Sequence, residues 1–238
     1  MKITKLQNVK LAKVAVPLAL ALAFGFLFSS CVGESLLPDP NPILPVSKFF
    51  NMNETVPEYG IDYETWEGSF AVNDGRLDFN WEPGGGNDSK LRFNDTFMAN
   101  CTVEMVIRIT DGNGNAGILI RSDQIESGTD AANGYFIGLG YDGDNKCYVE
   151  TGWMHYGWDT IWRQHFDSAH EALRLAVTMI GDEAAIEVKD LSGKSLFTGS
   201  FKHTDRGDSF AGFRATGCKG WIDDIKITNI GKGLDYAK

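Results

Sequence analysis

The sequence predicts an all-β fold, an antiparallel sandwich built from many short strands. Three observations predict it. Apolar and polar residues alternate with a period of two in several windows. Turn residues separate these windows at short intervals. Glycine is abundant, 27 of 238 residues, and aromatics make up 12%, a balance that favours strands and turns over helical bundles. No long window carries a helical period.

The elements follow in order from Lys48. Residues 101–110 place Val103, Met105, Ile107 and Ile109 on one side and Thr102, Glu104 and Arg108 on the other, the mark of a half-buried strand. Residues 111–115 (DGNGN) have the composition of a tight turn, and 116–121 continue as a strand. A further strand covers 135–141, closed by a turn at 142–145, and another covers 147–151. In 171–180 the apolar set is Leu173, Leu175, Val177 and Met179. Gly181 and Asp182 turn the chain into 184–189, where Ile186 and Val188 face inward. Ser192 and Gly193 begin the next turn, before 196–201. Strands over 210–214 and 221–230 close the chain. There is no internal repeat and no second composition regime.

The N-terminus reads as an address. Lys2, Lys5, Lys10 and Lys13 are followed by an apolar run over 14–28, shorter than the ~20 residues a spanning helix needs. The run ends Phe28-Ser29-Ser30-Cys31, small residues before a cysteine, which resembles a bacterial lipobox. That resemblance implies a signal peptide over 1–30 and lipidation at Cys31; ordinary secretion with Cys31 incidental is the alternative. Pro38, Pro40, Pro42 and Pro45 make 31–46 a stiff tether. The folded domain then spans 47–231, with a tail at 232–238. The expected location is the cell envelope, outside the cytoplasm, with the membrane reached through the lipid alone.

Charge narrows the partners. The net charge of −10 becomes −14 once the four leader lysines are removed. Nucleic acid is excluded as a partner, because phosphate binding needs a basic surface. Cys101, Cys147 and Cys218 allow at most one disulfide. No Cys-x-x-Cys and no Cys/His cluster suggests zinc, and no motif requires a cofactor.

The segments 115–121 (NAGILIR), 134–141 (GYFIGLGY), 173–181 (LRLAVTMIG), 211–217 (AGFRATG) and 221–229 (WIDDIKITN) resemble, in order and spacing, the concanavalin A-like or laminin-G-like jelly roll. More narrowly they resemble the branch holding the 3-keto-disaccharide hydrolases and levan-type carbohydrate-binding modules. The resemblance implies two packed, curved sheets whose concave face cradles a glycan. It implies that Arg121 points into that face, where a planar fork of donors suits sugar hydroxyls; a surface arginine at a strand end is the ordinary alternative. It also allows a structural Ca²⁺, with Asp223 where relatives carry a ligand, although Ca²⁺ needs several oxygens.

Glycoside hydrolysis needs two carboxylates across the scissile bond. The Glu-x-Asp-x-x-Glu spacing of jelly-roll glucanases is absent, which argues against that enzyme type. Glu104 and Glu150, on separate strands, are the remaining catalytic candidates; solvated sheet positions are their ordinary alternative. The stretch 153–162 holds three tryptophans, Tyr156 and His155. Flat aromatic rings give the C–H faces of sugars a contact platform, which makes Trp158, Trp153 and the nearby Tyr148 ligand-binding candidates against a core-filling alternative. His155, His165, His170 and His203 have neither ligand spacing nor a nucleophile partner. The expected function is a membrane-tethered carbohydrate-binding domain. The alternatives are a glycoside hydrolase of the 3-keto-disaccharide type and a non-catalytic adhesion module.

Overall fold

Two long strands shape the molecule. A computed structural model describes residues 47–50, 63–80, 88–94, 96, 100–143, 146–203 and 209–230, all within the unit Ile43–Lys238. The expected leader, lipidation site Cys31, tether and tail lie outside them. Every regular element among the described residues is a strand: β1 (Ser47–Phe50), β2 (Tyr63–Glu67), β3 (Ser69–Asn73), β4 (Arg76–Asn80), β5 (Asp88–Phe93), β6 (Cys101–Ile125), β7 (Ala132–Tyr141), β8 (Lys146–His155), β9 (Trp158–Asp167), β10 (Leu173–Ile180), β11 (Glu183–Lys189), β12 (Ser195–Lys202) and β13 (Phe210–Asn229).

β6 and β13 pair with each other along almost their full length, yet each has different neighbours at its two ends. The first half of β6 pairs with β10 over 101–107, and its second half with β7 over 115–125. β13 pairs with β5 over 212–216, with β4 over 220–222 and with β1 over 225–228. Two antiparallel layers result. The first runs β12-β11-β10-β6-β13-β4-β3, with β1 also on β13. The second runs β9-β8-β7-β6-β13-β5-β2.

The two layers join where β6 and β13 bend together. Gly112 and Gly217 have φ of 96° and 61°, a region open to glycine at no steric cost. A side chain at Gly114 would strike the Thr216 carbonyl. Residues 111–115 are therefore not the expected tight turn. Lys219, Cys218 and Thr216 of β13 stay paired with Asp111, Gly112 and Asn115 through the bend, so the strand never reverses. The expected strands over 210–214 and 221–230 are likewise one strand, β13.

The alternation read from the sequence sets the core. Val103, Met105, Ile107, Ile109, Leu173, Leu175, Val177, Met179, Ile186 and Val188 are all buried in it. Fully burying one such side chain stabilises by about 1.5–3 kcal/mol. Rings bridge the layers: Phe79 of the first meets Phe213 of the second at 5.0 Å, and Phe201 meets Tyr135 at 5.7 Å. Cys101, Cys147 and Cys218 are free and buried. Burial pushes the Cys101 and Cys218 thiols up to about 12 and that of Cys147 to about 11, which makes them poor nucleophiles.

Candidate functional site

The outer face of the second layer is organised in rows that run across its strands. One row reads Asp88, Thr216, Asn115, Gly140, Tyr148, His165. The next reads Lys90, Arg214, Gly117, Gly138, Glu150, Arg163. A third reads Arg92, Gly212, Leu119, Phe136, Gly152, Thr160. Every row contains at least one glycine. Aromatic rings lie over three of these glycines: Phe136 over Gly138, Tyr148 over Gly140 and Trp158 over Gly152. A β-carbon at any of the three would collide with the ring above it. The glycines thus leave room for rings to lie against the sheet instead of standing away from it.

At the β8–β9 side this aromatic floor carries a polar chain. Glu150 Oε1 accepts from Arg163 Nη2 at 2.9 Å, and its Oε2 accepts from Asn115 Nδ2 at 2.8 Å. The Arg163 guanidinium lies 4.3 Å from the Tyr148 ring centroid, a cation–π distance. His165 meets Tyr148 edge-on and shares a 2.6 Å contact with Asp142 Oδ2. Burial opposes the Arg163 charge, but the Glu150 hydrogen bond and carboxylate outweigh it and hold the guanidinium above its usual range. Burial pushes the Tyr148 hydroxyl up to about 12, so it stays protonated as a donor. Glu150 is nearly buried, whereas the Arg163 and His165 side chains are 43% and 48% exposed. Among the described residues Arg163 hydrogen-bonds to Glu150 alone. Trp158 is half-buried, and its Nε1 donates to Thr160 Oγ1 at 2.8 Å.

The β5–β13 side of the same face is closed. Lys90 is fully buried, and its ammonium reaches Glu67 at 3.0 Å, the Glu126 carbonyl at 2.8 Å and the Gly128 carbonyl at 2.5 Å. Arg214 bonds Asp88 and Asp130, and Thr216 adds a bond to Asp88 at 2.8 Å. These contacts draw the 126–131 segment down onto the sheet. Buried charges persist only when paired and hydrogen-bonded in this way. The open part of the face is therefore the β7–β9 half.

The residues expected from the sequence are distributed unevenly. Trp158 and Glu150 lie in the open half, but Tyr148, expected to contact the ligand, is 3% exposed and covered by the Arg163 guanidinium, so it offers no free ring face. Trp153 lies at the far end of β8, stacked on His155 at 4.5 Å and 38% exposed. Arg121 is not on the face. Its φ of 52° and the register shift after Ile120 break the alternation. Its side chain is buried, with Nη2 3.4 Å from Asn100 Oδ1. Glu104 lies on the outer face of the first layer, paired with Arg174 at 2.9 Å. Glu104 and Glu150 thus face away from each other across the whole sandwich and cannot flank one bond. Arg163, His165 and Asn115 were missed. The β9 alternation of Trp162 and Phe166 inward against Arg163 and His165 outward was the available signal, hidden by the density of aromatics.

Calcium does not fit at Asp223. Burial raises its carboxyl, and Asp224, Arg76 and Arg174 are its charged neighbours. Arg174 also bonds Asp224 at 3.0 Å. Two guanidinium groups repel a dication where further oxygens would be needed. Among the described residues no three His, Cys, Asp or Glu gather to hold a metal, and no helix is long and apolar enough to cross a membrane.

This architecture is an antiparallel jelly roll: two antiparallel layers, bridged by strands that bend from one to the other. The carbohydrate-binding module CBM66 from Bacillus subtilis matches over 68% of this chain and 92% of its own, with a TM-score of 0.53 and 17% identity. The VIP36 exoplasmic/lumenal domain in its Ca²⁺- and Man3GlcNAc-bound form matches over 74% and 87%, with a TM-score of 0.55 and 9% identity. A legume lectin-like domain from Entamoeba histolytica matches over 71% and 90%, with a TM-score of 0.51 and 11% identity. No family model matches the chain, and no curated protein matches it in sequence.

Proposed function

We propose that this protein is a carbohydrate-binding jelly-roll domain, carried outside the cytoplasm on a lipid anchor at Cys31 and a proline-rich tether. The observation that carries the reading is the open half of the second layer. The half-buried Trp158 ring packs over Gly152 there, beside the exposed Arg163 guanidinium and the Glu150–Asn115 pair, while Tyr148 is buried beneath Arg163 and supports it. An apolar ring edged by fixed donors and acceptors matches the alternating C–H faces and hydroxyls of a sugar. The description of CBM66 as a carbohydrate-binding module and of VIP36 as bound to Man3GlcNAc supports the same reading. The lipobox-like Phe28-Ser29-Ser30-Cys31 and the four prolines support the anchor.

A glycan array probed with the full chain tests the binding. The expected result is retention on one class of neutral oligosaccharide, lost in Trp158→Ala and Arg163→Ala. An array that stays blank for the wild type sinks the reading. Metabolic labelling with a fatty acid tests the anchor, with label expected on the wild type and absent from Cys31→Ser.

A further inference from the structure

The outer face of the first layer carries a cleft that the proposed site does not use. It has a volume of about 420 Å³ and lies where β3, β4 and β13 meet, within the roughly 300–1,000 Å³ of small-molecule sites. Its wall includes Trp221, Asn73, Asp78, Asn80, Ser69 and Lys219. The Arg76 guanidinium sits 4.1 Å from the Trp221 ring centroid and does not line the cleft. This cation–π contact restrains the indole, which lowers the ordering cost of binding.

The polar groups around that ring are partly unused. Asn73 Nδ2 donates to Asp78 Oδ2 at 2.7 Å. Among the described residues this leaves Asp78 Oδ1 and the second Asn73 N–H without a partner. A carboxylate beside a carboxamide offers acceptors and donors a few ångströms apart, as vicinal hydroxyls require. The charges argue for a neutral ligand. An anion would meet Asp78 on a chain of net charge −10. A cation would meet Lys219, whose own partner Asp111 stands 3.7 Å away.

We propose that this cleft is a second saccharide subsite, on the opposite outer face of the sandwich from Trp158, which takes a short run of neutral sugar residues. The inference rests on the reading that the domain binds carbohydrate, and it makes the protein bivalent. Two faces that hold separate strands of a polymer gain avidity through effective concentration.

The test is fluorine NMR on the full chain in detergent, labelled with 5-fluorotryptophan. Trp221→Phe and Trp158→Phe assign the two resonances. The probes are neutral oligosaccharides of glucose, mannose, galactose and fructose, with polygalacturonate as the anionic comparison. The expected result is that one neutral probe moves both resonances, each with its own midpoint. Asp78→Ala should weaken the Trp221 titration tenfold or more and leave the Trp158 midpoint unchanged. Movement of Trp158 with a silent Trp221 overturns the second subsite and leaves the proposed function standing. Movement of Trp221 by polygalacturonate alone overturns the neutral ligand class. Silence at both rings with every probe overturns both proposals.

Discussion

The Trp158 ring lies directly over Gly152, at the diagonal position across the β8–β9 pair, so the space that a side chain at 152 would fill is occupied by the indole. The position of the ring depends on that hydrogen. Gly152→Ala should lift Trp158 off the sheet, lower saccharide affinity about tenfold or more and reduce stability by about 1–3 kcal/mol through overpacking. Gly157→Ala, at a site with nothing within 4 Å, is the matched control. It should change stability by no more than about 1 kcal/mol. Urea denaturation and titration with the array-selected glycan read both effects.

Arg163 should matter to binding and, through Glu150, to folding. Its own side chain is 43% exposed, but its partner Glu150 is 7% exposed, and leaving a buried acceptor without a partner costs about 1–3 kcal/mol. A hydrogen bond from a charged donor to a ligand is worth about 1.5–3 kcal/mol. Arg163→Ala should therefore lower affinity about 10- to 100-fold and lower the denaturation midpoint as well. A large loss of stability with unaltered affinity would show that the side chain only braces Glu150.

The Asp88–Arg214 pair should matter to folding alone. Asp88 and Arg214 are 1% and 3% exposed, and Lys90 lies fully buried beside them. Asp88→Ala leaves two buried cations short of an anion, and losses of this kind are about 3–5 kcal/mol. The expected signature is a lower urea midpoint and faster proteolysis of the 126–131 segment, which Lys90 holds through the Glu126 and Gly128 carbonyls.

Alkaline pH should destabilise the fold. Burial raises Cys101, Cys218 and Tyr148 to about 12 and Cys147 to about 11, from ordinary values of 9.0 for thiols and 10.0 for tyrosine. The folded state favours the neutral forms. That stabilisation is complete below about pH 9 and is lost as pH rises from there through 11 and 12. Thermal midpoints should hold steady from pH 7 to 8.5 and fall steadily above pH 9. A flat profile to pH 11 would contradict the burial of these groups.

Thiol counting checks both ends of the chain at once. An aromatic disulfide reagent at pH 8 should leave Cys101, Cys147 and Cys218 unreacted in the folded protein, because they are buried. In urea it should titrate three thiols when Cys31 carries lipid and four when it does not.

Local pattern was enough to read the all-β class and the inward sets Val103–Ile109 and Leu173–Met179, because side-chain direction in a strand follows from a period of two alone. Local pattern proposed Trp158 and Tyr148 from their ring chemistry, but it could not tell that Trp158 would be half-buried and Tyr148 buried beneath Arg163. It misread 111–115, where the same glycines that build a tight turn serve a bend, and only the pairing of Asp111 and Asn115 with β13 distinguishes the two. The family resemblance placed Arg121 on the concave face, whereas a positive φ and a register shift leave it buried. Local pattern could not tell that Glu104 and Glu150 lie on opposite outer faces, or that Asp88 would meet Arg214 across 126 residues. Those relations depend on which strand lies beside which and in what register, and long-range pairing is a property of the assembled sheets.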